Sequence, residues 1–325
     1  MSALPILADR MQPCGPVLDT PGGQSTFDVL AEAAAEEGWT GLLTTAEPAL
    51  RPVFAASPYL AGLVRRWPGK LRSVLEVRPE ARLDVILSEA RALNGGAEGG
   101  GEPPRLPEAG LHLLAALCDL GGVWDLDAVT GALSAFADAA LQTAFVAVAE
   151  DQVVRGHLVG PVDPANPVPG LFGLAMGKHG AHELNYSSDI DVTFFYEPEV
   201  VRRTIAATVE AQAFVDRVAG AVARLLSERT GEGYVFRVDL RLRPDPGSTP
   251  PVVSAPAALN YYGTVGQNWE RAAFIKARAV VGDGAEARGF LKALIPFVWR
   301  RSLDFAAVSD VHSIKRQIHV HKIED

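Results

Sequence analysis

Residues 177–196 read GKHGAHELNYSSDIDVTFFY, and their reading decides whether this chain is wholly helical or carries a sheet. IDVTFFY (190–196) is short, β-branched and aromatic, which predicts a strand. Side chains alternate along a strand, so Asp189, Asp191 and Thr193 share one face and Ile190, Val192 and Phe194 the other. Two carboxylates roughly 7 Å apart on one face repel each other unless solvent or a cation lies between them. Magnesium suits such a pair, because it takes hard oxygen ligands and is held by one or two carboxylates together with substrate phosphates. A solvated strand end behind a serine turn carries the same residues, so the pair alone does not choose.

The neighbouring sequence narrows the choice. LFGLAM (171–176) predicts a preceding strand, and Gly177, Lys178 and Gly180 follow it, where turn N–H groups can cradle a phosphate. This is not a Walker A loop, since GLAMGKH has too few residues between its glycines and no Ser or Thr after the lysine. Further on, YVFRVDLRL (234–242) alternates as a strand does. Arg237, Asp239, Arg241 and Arg243 fall on one face, with Phe236, Val238, Leu240 and Leu242 on the other. That face reads either as an exposed ion-pair ladder or as a third metal ligand among phosphate-binding arginines.

Around this segment the pattern is helical. Residues 24–94 place apolar side chains in steps of three and four, as at Leu60, Leu63, Val64 and Trp67. GGAEGGGEPPRLP (95–107) reads as a flexible connection, 108–160 returns to helix, and the Pro-rich 161–170 separates it from the strands. Residues 202–229 predict a helix with Ile205, Val209, Val218, Val222 and Leu225 on one stripe, stopping at Gly231 and Gly233. From about 255 the helical pattern runs to the end. The expected division is a mainly helical region over 1–160, a mixed core over 161–285, and a C-terminal helical segment over 286–325. The apolar residues Phe290, Leu294, Phe297 and Trp299 of the last part call for partners.

Composition sets outer bounds. The chain has 325 residues, 48% hydrophobic, enough for a packed core and more than one domain. Its net charge of -9 argues against nucleic-acid binding through bulk electrostatics but agrees with carboxylate–cation chemistry. Two cysteines, Cys14 and Cys118, are too few for a disulfide framework or a zinc cluster. No uninterrupted apolar run reaches membrane-spanning length and no secretory signal opens the chain, so a cytoplasmic setting without membrane partners is expected.

A glycine turn, then Ser187-Ser188-Asp189-x-Asp191 on the next strand, then Asp239 on a strand after a helix, resembles the DNA polymerase beta-like nucleotidyltransferases. Longer blocks sharpen this. GKHGAHELNYSSDIDVTFFY, RVDLRLRPDPGSTPPVVS and YYGTVGQNWERAAFIKARAVVGD closely resemble consecutive blocks of the glutamine synthetase adenylyltransferase family. A weaker resemblance runs upstream through FAASPYLAGLVRRWPGKL and ALCDLGGVWDLDAVTGALSAFADAAL. The resemblance implies an α+β fold: a small mixed sheet with helices, flanked by helical segments. That family pairs two nucleotidyltransferase halves in tandem, one adding AMP to a tyrosine of glutamine synthetase and one removing it. QNWERAAFIKAR resembles the amino-terminal, AMP-removing half. Only one half is present, so the chain is expected to be a fragment or a shortened protein with a truncated C-terminal bundle.

The same resemblance implies the roles. Asp189, Asp191 and Asp239 hold two magnesium ions and form the catalytic set. Gly177 and Ser188 lie against the phosphates, and Arg241 and Arg243 neutralise phosphate charge. Lys178 reads as a phosphate contact or a surface lysine, and Lys276 and Arg278 as nucleotide or phosphate contacts. Glu183 and Asn185 are expected to fix backbone geometry, Glu270 and Arg271 to pair structurally, and Trp269 to lie in the core; His179 and His182 receive no role. The implied activity is phosphorolytic removal of AMP from glutamine synthetase, with ADP and inorganic phosphate as small-molecule partners. Alternatives are adenylylation with ATP, a non-catalytic module binding glutamine synthetase or a PII signal protein, and a PII uridylyltransferase-like enzyme.

Overall fold

The computed structural model describes residues 5–17, 21–92, 108–229 and 234–299. The expected connection at 95–107, the helix stop at Gly231 and Gly233, and the segment from 300 onward lie outside them. The described residues fall into two compact units, one within Met1–Ala92 and Arg105–Phe136, the other within Ala137–Asp325. The division runs inside the helix Leu126–Val154, whereas the Pro-rich 161–170 is the separator expected from sequence. That loop is fastened instead: Asn166 Nδ2 and the Gly170 N–H both donate to Asp283 at 3.2 Å.

The first unit is helical. The expected single block is divided, in part at prolines that open new helices, where Pro suits the first turn; Pro48 and Pro52 lie inside the helix Thr40–Ala56. Pro58–Arg66, Pro68–Leu75 and Pro79–Ala92 each begin on a proline, and Ser57 caps the first of these by accepting from the Leu60 N–H at 3.3 Å. Leu60, Leu63 and Val64 are buried as the periodicity requires, while Trp67 is half-buried between Arg66 and Lys70.

The second unit is built on a mixed sheet. Its strands are β1 (Leu171–Ala175), β2 (Ile190–Tyr196), β3 (Val238–Asp239), β4 (Val252–Ser254) and β5 (Arg278–Gly282). The order is β3-β2-β1-β5, with β4 also on β2. β1 runs antiparallel to β2 and β5, while β3 and β4 pair with β2 in parallel, β3 beside its start and β4 beside its end. Both faces of β2 are covered over most of its length. Phe194 stacks on Phe145 of the long helix at 6.2 Å, and Phe195 meets Phe290 at 4.4 Å. Only near its beginning does a side chain, that of Asp191, reach partial exposure. Charge sits where the sheet is open.

Three expectations are corrected here. β5 lies within the region read as continuous helix; its strand character comes from pairing with β1 across a register shift at Gly173/Leu174. The helix expected over 202–229 is two, Pro198–Thr204 and Ala211–Ser227, so Val218 and Val222 are buried helix residues but Ile205 and Val209 are not helical. Ile205 instead bridges to Leu158. The strand expected over 234–242 is regular only at Val238–Asp239, because the Asp239 carboxylate accepts the Arg241 N–H at 2.8 Å and turns the chain.

Phe290 and Leu294 find partners in a core with Phe172, Phe195, Tyr262 and Phe274, while Trp299 is exposed. Helix Leu126–Val154 is long and apolar enough by composition to cross a membrane, but 78% of its most apolar window is buried within the protein. It is a core helix.

Asp283 joins β5 to the helix Gly284–Ala293. Its carboxylate accepts from the Ala285 and Glu286 N–H groups at 3.1 and 3.2 Å, besides Gly170 and Asn166. Burial raises its pKa, but these donors outweigh it and leave the pKa below the usual carboxylate value. Asp283→Ala is therefore expected to cost about 1–2 kcal/mol near neutral pH, as loss of a helix cap does. The advantage of the native carboxylate is complete above its unfolded pKa and fades as pH falls through the lower folded value. Denaturation curves of the two proteins should converge in acid; a pH-independent gap would show that the cap's charge is not what stabilises.

Candidate nucleotide-binding site

Asp191 stands opposite Asp239 in the parallel pairing of β2 with β3, which puts both carboxylates on one face of adjacent strands. Asp189 precedes them by one turn of the pleat, and its charge acts on Asp191 together with that of Asp239. Burial first, then these two charges, push the Asp191 pKa up to about 6, while Arg241 and Lys178 act in the opposite direction. The pairing thus sets Asp191 beside Asp239, and Asp189 lies near enough for its charge to act on Asp191.

Each outer carboxylate has an arginine. Arg237 Nε pairs with Asp189 Oδ1, and Arg237 Nη2 also donates to the Ser187 carbonyl at 3.0 Å. Arg241 grips Asp239 through Nε and Nη2 at 3.0 and 2.6 Å, and this hydrogen bonding leads in holding the Asp239 pKa below its ordinary value. The Arg241 side chain is 82% exposed, so the pair is readily exchanged for another partner. Among the described residues no three His, Cys, Asp or Glu side chains form a ready-made metal cluster.

The glycine turn closes the site from β1. Gly177 has φ +55°, and a Cβ there would run into Asp191 Oδ2. The Met176 N–H donates to the Asp191 carbonyl at 2.9 Å, fixing the turn to β2. Lys178 Nζ reaches Ser188 Oγ at 3.5 Å, and Ser188 Oγ donates to Asn185 Oδ1. Asn185 therefore shapes the loop as expected. Glu183 takes Lys276 Nζ at 2.5 Å in an exposed pair.

Other candidates are placed differently. Arg243 donates to the carbonyls of Leu240, Pro246 and Thr249, holding the 244–249 loop. Arg278 forks onto Asp138, with Nη1 to Oδ2 at 2.8 Å and Nη2 to Oδ1 at 2.7 Å. Glu270 and Arg271 are buried and structural: Glu270 accepts from the Gln267 N–H at 2.7 Å, and Arg271 binds the Phe297 carbonyl at 2.9 Å. Trp269, expected in the core, is 37% exposed. The sequence reading missed Asp138 and gave His179 no role, yet the two meet at 2.7 Å. One signal pointed there: Asp138 is the single charged residue between Asp127 and Glu150 on an apolar helix.

A small mixed sheet among helices, with Asp191 and Asp239 on paired strands and Asp189 just ahead of the first, beside a glycine turn, is consistent with an α+β core of the nucleotidyltransferase type. The chain belongs to the glutamate-ammonia ligase adenylyltransferase family, whose model matches residues 48–293. It is 54% identical over 329 aligned residues to the bifunctional glutamine synthetase adenylyltransferase/adenylyl-removing enzyme of Caulobacter vibrioides, covering 100% of this chain and 33% of that protein. The enzymes of the same description from Bradyrhizobium diazoefficiens and Xanthobacter autotrophicus are 47% and 46% identical. Those alignments take in 82% and 91% of this chain, and 27% and 30% of theirs. The chain spans about a third of the length of the curated relatives it matches.

Proposed function

We propose that this chain is a nucleotidyltransferase unit that removes AMP from an adenylylated tyrosine of glutamine synthetase by phosphorolysis. The observation that carries the reading is the register Asp191↔Asp239, which gathers carboxylates against the Gly177 turn. The donor set fits magnesium: all are hard oxygens, and Asp191 is crowded by like charge that a divalent cation would relieve. Asp189, Asp191 and Asp239 would hold the ions, whose presence would neutralise charge on the reacting phosphate oxygens. The protein's own part is positioning. Arg241 and Arg237, released from their carboxylates, present guanidinium forks to phosphate oxygens.

In the reaction an oxygen of inorganic phosphate attacks the phosphorus of the adenylyl-tyrosine ester. The bond from phosphorus to the phenolic oxygen breaks, tyrosine leaves and takes up a proton, and the AMP moiety departs as ADP. The direction is supported by the resemblance of QNWERAAFIKAR to the AMP-removing half. Lys276 on that block, held by Glu183 in an exposed pair, would become a cationic seat for incoming phosphate on leaving that carboxylate. Lys276→Ala is expected to raise the KM for phosphate about tenfold, the scale of one charge-assisted hydrogen bond, with kcat less affected. An unchanged KM would remove Lys276 from the site.

The test offers magnesium with adenylylated glutamine synthetase, with and without phosphate, and separately unmodified synthetase with ATP. ADP release that requires phosphate supports the reading. AMP incorporation without such release assigns the opposite activity, and binding of glutamine synthetase without either reaction assigns a docking module.

A further inference from the structure

We infer that Asp138, His179 and Arg278 form a brace, built on the buried His179 and two half-buried charged partners, that sets the Gly177–Gly180 turn against Asp191, which makes His179 a positioning residue of the nucleotide site. The role in nucleotide binding rests on the function proposed above; the brace itself does not.

His179 sits in the middle of the turn and its side chain is fully buried. Its Nε2 meets Asp138 Oδ1 at 2.7 Å, so the Nε2 proton points at the carboxylate. Asp138 is fixed in turn by the Arg278 fork, and Arg278 Nη2 also donates to the His179 carbonyl at 3.2 Å. One guanidinium thus holds both the partner of the imidazole and the backbone that bears it. Burial raises the Asp138 pKa, but the bonds from His179 and Arg278 bring it below the ordinary value, so the brace carries a full charge pair at neutral pH.

The backbone leaves the turn no slack. At Gly180 an added Cβ would strike the carbonyl oxygens of Lys276 and Ala175, so the segment leading into β5 and the end of β1 press on that end. At the other end Gly177 presses on Asp191. The four residues therefore act as a strut between two fixed points: helix Leu126–Val154 and β5 hold the His179 end, and the reactive carboxylate lies at the Gly177 end. Displacement of the imidazole is transmitted to the surface facing a phosphate.

Packing alone does not account for histidine here. His179 Nδ1 and Arg278 Nε are buried with no hydrogen-bond partner among the described residues. A leucine of similar bulk would bury no such atom. What imidazole adds is one directional bond that fixes the rotation of the turn.

The test is hydrogen–deuterium exchange on the full chain, with magnesium-ADP binding by calorimetry. His179→Leu is expected to speed exchange of the 177–181 amides about tenfold and to weaken magnesium-ADP binding by about the same factor, the worth of one bond to a charged group. Exchange in helix Ala211–Ser227 should stay as in the native protein. His179→Gln, whose amide can donate to Asp138, should recover most of both effects. Arg278→Lys keeps the charge but cannot fork, and should loosen the same amides; it serves if His179→Leu does not fold. Unaltered exchange in the turn, a uniform rise through the whole unit, or glutamine no better than leucine would overturn the brace. Absence of magnesium-ADP binding in the native protein would overturn the nucleotide reading, while the exchange pattern would still decide the brace.

Discussion

Asp191→Asn is expected to lower magnesium-dependent turnover on the order of a thousandfold while leaving the fold intact, because removing one charged ligand forfeits several kcal/mol of charge stabilisation in the reaction. The same change should not weaken the fold. In metal-free buffer the Asp191 carboxylate is ionised against burial and against Asp239 and Asp189, and its folded pKa of about 6 exceeds the unfolded value. A raised acid pKa costs stability wherever the folded group is charged, fully above the folded pKa, and the cost disappears as pH falls below the unfolded value. Asp191→Asn should therefore melt higher than the native protein at pH 7.5 in chelator, and the gap should close near pH 4. Magnesium should narrow it from the other side by stabilising the native protein, with its full carboxylate set, more than the variant. Native-like turnover in the variant would reduce the aspartates to an exposed strand end.

Gly177→Ala is expected to damage both stability and catalysis. At φ +55° a Cβ costs about 1–2 kcal/mol in strain alone. Here it would also collide with Asp191 Oδ2, so the turn, the carboxylate or both must shift. A displacement of about 1 Å at a reacting centre costs on the order of a hundredfold in rate. Gly263 is the natural control, since a Cβ there meets nothing within 4 Å. Gly263→Ala sits inside a helix and should be neutral or slightly stabilising by its propensity. Equal behaviour of the two alanine variants in thermal melts and turnover would dismiss the close approach at Gly177.

The sheet's centre was legible because β1 and β2 are short apolar runs bounded by turns, and because period-2 alternation places Asp189 and Asp191 on one face. The identity of the outer strands was less so. β5 is read as helix since ARAVVG continues an alanine-rich block, and only its partner β1 makes it extended. Alternation also failed beyond Asp239. A carboxylate that accepts its own neighbour's N–H ends the strand, a local choice that no periodicity reports. Arg241 still reaches Asp239, but by folding back on it rather than by sharing a strand face. Arg243 and Arg278 looked alike in sequence as phosphate binders, and the fold uses them to hold a loop and a half-buried aspartate. Basic side chains announce a demand for anions or carbonyls; which one supplies it is settled by tertiary contacts. Asp138 and His179 were hidden for the same reason, being 41 positions apart in the chain.

The central claim is that these carboxylates and their turn direct inorganic phosphate onto an adenylyl-tyrosine. The most direct measurement follows the label from isotopically marked inorganic phosphate, with magnesium and adenylylated glutamine synthetase as the other components. The account predicts that the label appears as the β-phosphate of ADP, one for each tyrosine restored, and that Asp191→Asn stops its appearance. Release of unlabelled AMP, or ADP carrying no label, would contradict it.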